Sequence, residues 1–225
     1  MEGLLPAPVK VLNKPDVSAT SLATEHIEPK DVTYMASYNW TEDLNPTIIV
    51  PGKLHILRHK DNETAEAEWS PGTPPVWKDP TPPFQVTPDS GIRFIDRNAY
   101  HLPTSPLLPI FRAVDAMKAD NHGAGNTEWA KLDFITDRNN LRSLLRWLND
   151  ATRSAAEFRI DAQLAGKKTV LLTRWEKRNH ESMSGVTFGN EFKKACTQYI
   201  DGHENGAGHH RIIRYVSLGT VFVAG

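Results

Sequence analysis

Residues 185–225 read GVTFGNEFKKACTQYIDGHENGAGHHRIIRYVSLGTVFVAG. Both kinds of element are present in this one stretch. Phe192, Cys196 and Tyr199 recur at helical spacing after Gly189, which predicts a helix over 188–200. The glycine-rich run 201–208 breaks it. HHRIIRYVSLGTVFVAG then carries two strand-like pieces, interrupted at Gly219 and rich in β-branched residues. Its second piece runs to Gly225, so the expectation is a sheet incomplete at its C-terminus. An unpaired edge after Val223 would then invite self-association or a protein partner.

Upstream the same alternation of element types continues. EFRIDAQLAG (157–166) and KKTVLLTRWEK (167–177) read as two strands with a turn at Gly166-Lys167. AKLDFIT (130–136) reads as a strand. DRNNLRSLLRWLND (137–150) reads as a helix with Leu141, Leu144, Leu145 and Leu148 on one face and Asp137 or Asn139 as its cap. SPLLPIFRAVDAMKA (105–119) opens with Ser-Pro and keeps Leu107, Leu108, Phe111, Val114 and Met117 at helical spacing. Short strands are expected at 32–40, 46–52 and 91–96. Residues 57–90 are charged and then proline-rich, which predicts an extended loop, and residues 1–30 a flexible arm. The expected fold class is α+β: a mixed, mainly antiparallel sheet with flanking helices, forming a single domain over 31–225.

Composition excludes several classes. The formal net charge is −1, so neither a strong polyanion binder nor an acidic solvating protein follows from the overall balance. Its one cysteine, Cys196, allows no internal disulfide and suits a reducing compartment. The start has no basic region followed by a long apolar run, and no apolar run approaches membrane-spanning length. The cytoplasm or nucleus is the expected location, and no membrane partner is expected. Charge is uneven, however: residues 138–214 hold 14 Lys/Arg against 8 Asp/Glu. Such an excess either faces phosphates or clothes ordinary solvated faces.

Isolated chemical signals are weaker. His203, His209 and His210 surround a glycine loop, and zinc would need Cys196 or His180 as a fourth ligand at no standard spacing. Cys196 lies with Phe192 and Tyr199 and reads as a structural thiol. The six tryptophans could stack on bases or fill a core. No glycine run is followed by Lys-Ser/Thr, so there is no phosphate loop.

Three pieces in order, FITDRNNLRSLL, KKTVLLTRWEKR with FGNEFKKACT, and HHRIIRYVSLGTVFVAG, resemble the Dom3-type RNA 5′-end decapping pyrophosphohydrolases and 5′–3′ exonucleases. The likeness covers about residues 130–225. It implies a decapping-nuclease-like fold and Mg²⁺ or Mn²⁺ chemistry at clustered carboxylates. Several fragments, including TDRNNLRSLL and GHHRIIRY, are also similar to a fungal family often labelled geranylgeranyl pyrophosphate synthetases. A prenyl synthase needs paired aspartate motifs for its magnesium ions, and this chain contains no Asp-Asp pair.

Carried over residue by residue, the resemblance makes Arg138 a phosphate-contacting or catalytic arginine; alternatively Arg138 pairs with Asp137 or caps a turn. Gly189 and Phe192 match the family's glycine helix. Lys193 stands where the family has a metal-ligand glutamate. Glu191, a candidate catalytic acid, lies two residues earlier, about 200° around a helix. The family's Glu-x-Asp and Glu-x-Lys would lie beyond Gly225. The expectation is therefore a truncated or degenerate member, poorly active, with no metal ligands as given and Mg²⁺ or Mn²⁺ only if residual activity exists. The alternatives are a non-catalytic module binding an RNA 5′ end or a protein through Arg138, Arg142, Lys193 and Arg214, and an enzyme of prenyl metabolism.

Overall fold

The computed structural model describes residues 10–13, 30–43, 45–50, 54–58, 65–69, 76–119, 128–149, 157–198, 206–217 and 222–224. The amino-terminal half begins with strand β1 (Lys30–Thr41), then β2 (Ile48–Ile49), β3 (Leu54–Arg58), β4 (Ala65–Trp69), β5 (Val76–Trp77) and β6 (Ile92–Phe94). Helices α1 (Arg97–His101) and α2 (Leu108–Ala119) follow, and a 3-10 turn over Trp129–Lys131 leads to β7 (Phe134–Thr136) and α3 (Arg138–Asn149). The remainder is β8 (Arg159–Ala165), β9 (Thr169–Trp175), β10 (His180–Ser182), α4 (Gly189–Ala195), β11 (Thr197–Gln198), β12 (Gly206–Ser217) and β13 (Phe222–Ala224). The class is α+β; among the described residues most strand pairs are antiparallel, while β13–β7 and β7–β9 are parallel.

The chain divides into two units built from interleaved segments. The first comprises Met1–Tyr34, Thr127–Lys177 and Arg214–Gly225; the second comprises Met35–Asn126 and Arg178–Ile213.

In the first unit the strand order is β12-β13-β7-β9-β8. β7 and β9 are parallel, with Phe134, Ile135 and Thr136 facing Val170, Leu171 and Leu172. Parallel neighbours need a crossover, which α3 and the return strand β8 supply. β8 then pairs antiparallel with β9 from Arg159↔Trp175 to Ala165↔Thr169. The turn between them holds Gly166 at φ +65°, a backbone conformation a Cβ disfavours. Leu132, Ile135 and Thr136 are buried beneath.

The end of the chain corrects an expectation. β13 is not an edge. Val223 and Ala224 pair in parallel with Phe134 and Ile135 on one side, and Phe222–Ala224 pair antiparallel with Tyr215–Ser217 on the other. Both sides of its backbone are therefore satisfied. The outermost strand of this unit is β8.

In the second unit the core is built on β1 and α2. Met35 through Thr41 are buried without interruption, although the segment alternates apolar and polar side chains. Ile110, Ala113, Val114 and Met117 of α2 are buried at i, i+3, i+4 and i+7. Asn98 joins α1 to β1: its Oδ1 accepts Trp40 Nε1–H at 2.9 Å, and its Nδ2 donates to Tyr38 Oη at 2.9 Å. Helix α1 follows directly on the short strand expected at 91–96 and is capped by Asp96, whose side chain accepts the Ala99 N–H at 3.0 Å. Arg97 is buried against the Phe94 ring and donates to the Ala207 carbonyl at 2.8 Å.

Two further corrections fall in this unit. The proline-rich stretch 57–90 is not loop throughout: β3 and β4 pair over Leu54↔Trp69 to Arg58↔Ala65, and β5 pairs with β11. The helix expected over 188–200 stops at Ala195, and Thr197–Gln198 turn back as β11 beside Trp77 and Val76. Pairing with β5 takes the backbone groups that further helix would have used.

Candidate nucleic-acid interface

The five residues singled out from sequence divide between the units: Arg138, Arg142 and Arg214 belong to the first, Glu191 and Lys193 to the second.

α3 carries the first group. Asp137 caps it, its Oδ1 accepting the Asn140 N–H at 2.8 Å. Asp137 also faces the half-buried Arg174 at 3.8 Å, so this carboxylate is engaged by the helix start and by Arg174 rather than by Arg138. Asn140, not a leucine, is the buried residue of the helix. Its Nδ2 donates to the Leu172 carbonyl at 2.9 Å and to Thr136 Oγ1 at 3.0 Å, which ties the first turn of α3 to β7 and β9. Leu141 and Leu144 are half-buried, whereas Leu145 and Leu148 are exposed, contrary to the expected apolar face.

That anchoring turns one stripe of the helix outward. Arg138 and Arg142 are exposed, and Arg146, which sequence reading did not select, continues them at i+8. The signal for Arg146 was its four-residue period. Successive arginines rise about 6 Å along the axis. Among the described residues none of the three has an acidic partner. Arg214, on β12, is likewise exposed.

α4 carries the second group. Its N-cap position is Phe188, which provides no side-chain acceptor. The acceptor comes from Asp89 instead: its Oδ1 receives the N–H groups of Asn190 and Glu191, each at 2.9 Å, and its Oδ2 receives Thr187 Oγ1–H at 2.7 Å. Burial alone would raise the Asp89 pKa. The hydrogen bonds from Glu191, Thr187, Asn190 and Gly189 outweigh that and hold it below the usual carboxylate value. Sequence reading missed Asp89 because no local signal links it to a helix so far along the chain.

A divalent cation does not fit α4. Its one carboxylate, Glu191, accepts Lys194 Nζ at 2.7 Å, and the exposed Lys193 is adjacent. Two ammonium groups beside one neutralised acid repel a metal ion. Among the described residues no three His, Cys, Asp or Glu side chains are grouped to hold one. Of the zinc candidates, His203 lies outside the described residues, as does the side chain of His209. Cys196 is buried, and exposed His180 places Nδ1 2.7 Å from Asn179 Oδ1. His210 buries both ring nitrogens without a hydrogen-bond partner among the described residues. Burial, with the Lys193 charge, pushes its pKa down to about 4.

With both faces described, a family can be assigned. A model described as Domain of unknown function (DUF8563) matches residues 9–223. The chain belongs to the DUF8563 family. No curated protein and no solved structure matches it. This DUF8563 domain takes in both units, from the segment around Lys10 to β13. Among its described residues, no helix is long and apolar enough to cross a membrane.

Proposed function

We propose that the chain binds the phosphate-rich 5′ end of single-stranded RNA, in the cytoplasm or nucleus, without efficient hydrolysis. The observation that carries this reading is the exposed row Arg138, Arg142 and Arg146 on a helix pinned at its first turn. Guanidinium groups bind phosphate oxygens bidentately, and a regular row of them matches a repeating anion better than a single charge does. A pre-organised row also loses less entropy on binding than flexible lysines would. Arg214, in the same unit, is exposed as well.

The chemistry of α4 supports the non-hydrolytic half of the reading. Cleaving a phosphoanhydride calls for carboxylates that hold a metal and activate water. Glu191 is neutralised by Lys194, and Lys193 adds a further positive charge where the resembled enzymes place a ligand acid. The row on α3 thus has a use as a grip without a cutting centre at α4.

The test is fluorescence anisotropy with one RNA sequence carrying a 5′-triphosphate, 5′-monophosphate or 5′-hydroxyl, at two salt concentrations. Salt-sensitive binding that strengthens with end phosphorylation, and no product in Mg²⁺ or Mn²⁺, is expected. Absence of salt-dependent binding, or rapid release of phosphate or nucleotides, would overturn the reading.

A further inference from the structure

Three aromatic rings of the second unit meet at its surface rather than in its core. Phe192 of α4 lies 6.2 Å from Trp77 of β5 and 6.1 Å from Phe84, centroid to centroid. Rings in mutual contact are ordinarily buried together. Here Trp77 is 60% exposed, Phe192 44% and Phe84 38%. Single exposed apolar side chains need no explanation, whereas a contiguous group of three rings marks a contact surface.

The local fold gathers them. Thr197 and Gln198 pair with Trp77 and Val76, and the Lys78 N–H donates to the Cys196 carbonyl at 2.8 Å, so β5 is held against the end of α4. Phe192 stands on that helix, one turn before the junction. Three prolines between Lys78 and Phe84 restrict the backbone that returns the third ring. The indole is fixed as well: Trp77 Nε1 donates to Asp79 Oδ1 at 2.7 Å. That bond satisfies the one polar atom of the ring and leaves its apolar faces for contact.

Charge selects the occupant. Lys78 follows Trp77 in the chain and Lys193 follows Phe192, and both lysines are exposed. The neighbouring acids are engaged, Asp79 by the indole and Glu191 by Lys194 at 2.7 Å. The rings therefore have cationic flanks, which repel a cationic ligand. A proline-rich peptide also docks on aromatic side chains, but it carries no anion for these lysines. A single-stranded nucleic acid supplies both complements: bases whose π-faces stack on the rings, and a phosphate backbone drawn to the positive flanks.

We propose that Trp77, Phe84 and Phe192 form a base-stacking platform for single-stranded nucleic acid. The platform belongs to the second unit, whereas the arginine row belongs to the first, so its use does not depend on recognition of a 5′ end. Every base has a π-face, so the platform adds affinity that tolerates any sequence.

The experiment is fluorescence anisotropy of the full chain with two 5′-hydroxyl strands of about 12 nucleotides, a length within the usual range of single-strand sites. One is oligouridine RNA, and the other is the same sugar–phosphate backbone without bases. Both carry the same phosphates, so their affinity ratio isolates stacking. Oligouridine is expected to bind more tightly by roughly tenfold or more. Trp77→Ala and Phe192→Leu are each expected to bring the ratio close to one, while Trp77→Tyr, which keeps a ring, retains most of it. All three positions altered are exposed, and circular dichroism verifies that folding is kept. Replacing Arg138, Arg142 and Arg146 together by alanine is expected to leave the ratio unchanged, so failure of the arginine grip and failure of the platform are read separately. Equal binding of the two strands, binding of neither, or a ratio that survives both Trp77→Ala and Phe192→Leu overturns the proposal. Binding of a proline-rich peptide that Trp77→Ala abolishes, with no preference for the base-bearing strand, overturns it and assigns the rings to a protein.

Discussion

The carboxylate of Asp89 accepts the backbone N–H of Glu191 at 2.9 Å, from a position 102 residues earlier in the chain. Glu191 sits in the first turn of a seven-residue helix, too short to be stable alone in water. The start of α4 therefore depends on a distant residue. Asp89 is itself nearly inaccessible to solvent and holds Thr187 as well.

Asp89→Ala is expected to unravel the first turn of α4 and lower the midpoint of thermal unfolding by roughly 3–8 °C. Hydrogen exchange at the Asn190 and Glu191 amides measures the local effect and should accelerate before global unfolding. The depressed pKa of Asp89 adds a pH dependence. A carboxylate with a lowered folded pKa stabilises above its unfolded value near 4 and loses that contribution as pH falls through the folded value. The wild type should therefore show an acid-induced loss below about pH 4 that Asp89→Ala lacks.

His210 has the opposite chemical character and the same sign. Its folded pKa is about 4, below the unfolded value near 6.5, so the unfolded chain binds the extra proton first. Stability is full above about pH 6.5 and declines toward pH 4, by on the order of 1–2 kcal/mol after allowing for solvent screening. His210→Leu removes two unsatisfied ring nitrogens and is expected to keep or gain stability at neutral pH. Urea unfolding at pH 7.5 and pH 5 should show a smaller difference in the variant.

Asn140→Ala strips Leu172 and Thr136 of a partner in a buried setting. The expected cost is about 1–3 kcal/mol in chemical denaturation. Because Asn140 ties the first turn of α3 down, the same variant should weaken RNA binding although it carries no charge.

Gly166 stands at φ +65° with nothing within 4 Å of where a Cβ would be. Gly166→Ala therefore tests backbone conformation alone and should cost about 1–2 kcal/mol. Gly166→Asn, tolerated in left-handed turns, should cost less. Thermal melts of the two variants separate conformation from crowding.

The arginine row makes a quantitative prediction about salt. Replacing Arg138, Arg142 and Arg146 together by alanine removes up to three phosphate contacts, which should reduce the slope of log affinity against log salt by about 2 for a single strand. Lys193→Ala and Lys194→Ala should leave that slope nearly unchanged. Anisotropy titrations at four salt concentrations distinguish the outcomes.

Much of the local structure was legible. Four-residue periodicity and the Asp137 cap predicted α3 within a residue at each end, and period-two alternation around Gly166 predicted the β8–β9 hairpin. These signals act over a few residues, through steric preference and the nearest hydrogen bonds. The same reasoning placed Arg138 and Arg142 on this helix. It failed where the partner was remote: α4 was drawn too long because β5, which claims the residues after Ala195, lies more than a hundred positions away.

The sequence by itself determined the α+β class, the hairpin, the capped helix α3 and the cationic bias of its latter part. Tertiary structure alone decided that Asp89 caps α4, that Asn140 is buried where leucines were expected, and that β13 inserts between β12 and β7. The physical reason is the range of the forces involved. Propensity and capping are settled within one or two turns. The choice of a distant strand or acceptor follows from which backbone groups remain unsatisfied once the chain has collapsed, and every element decides that together.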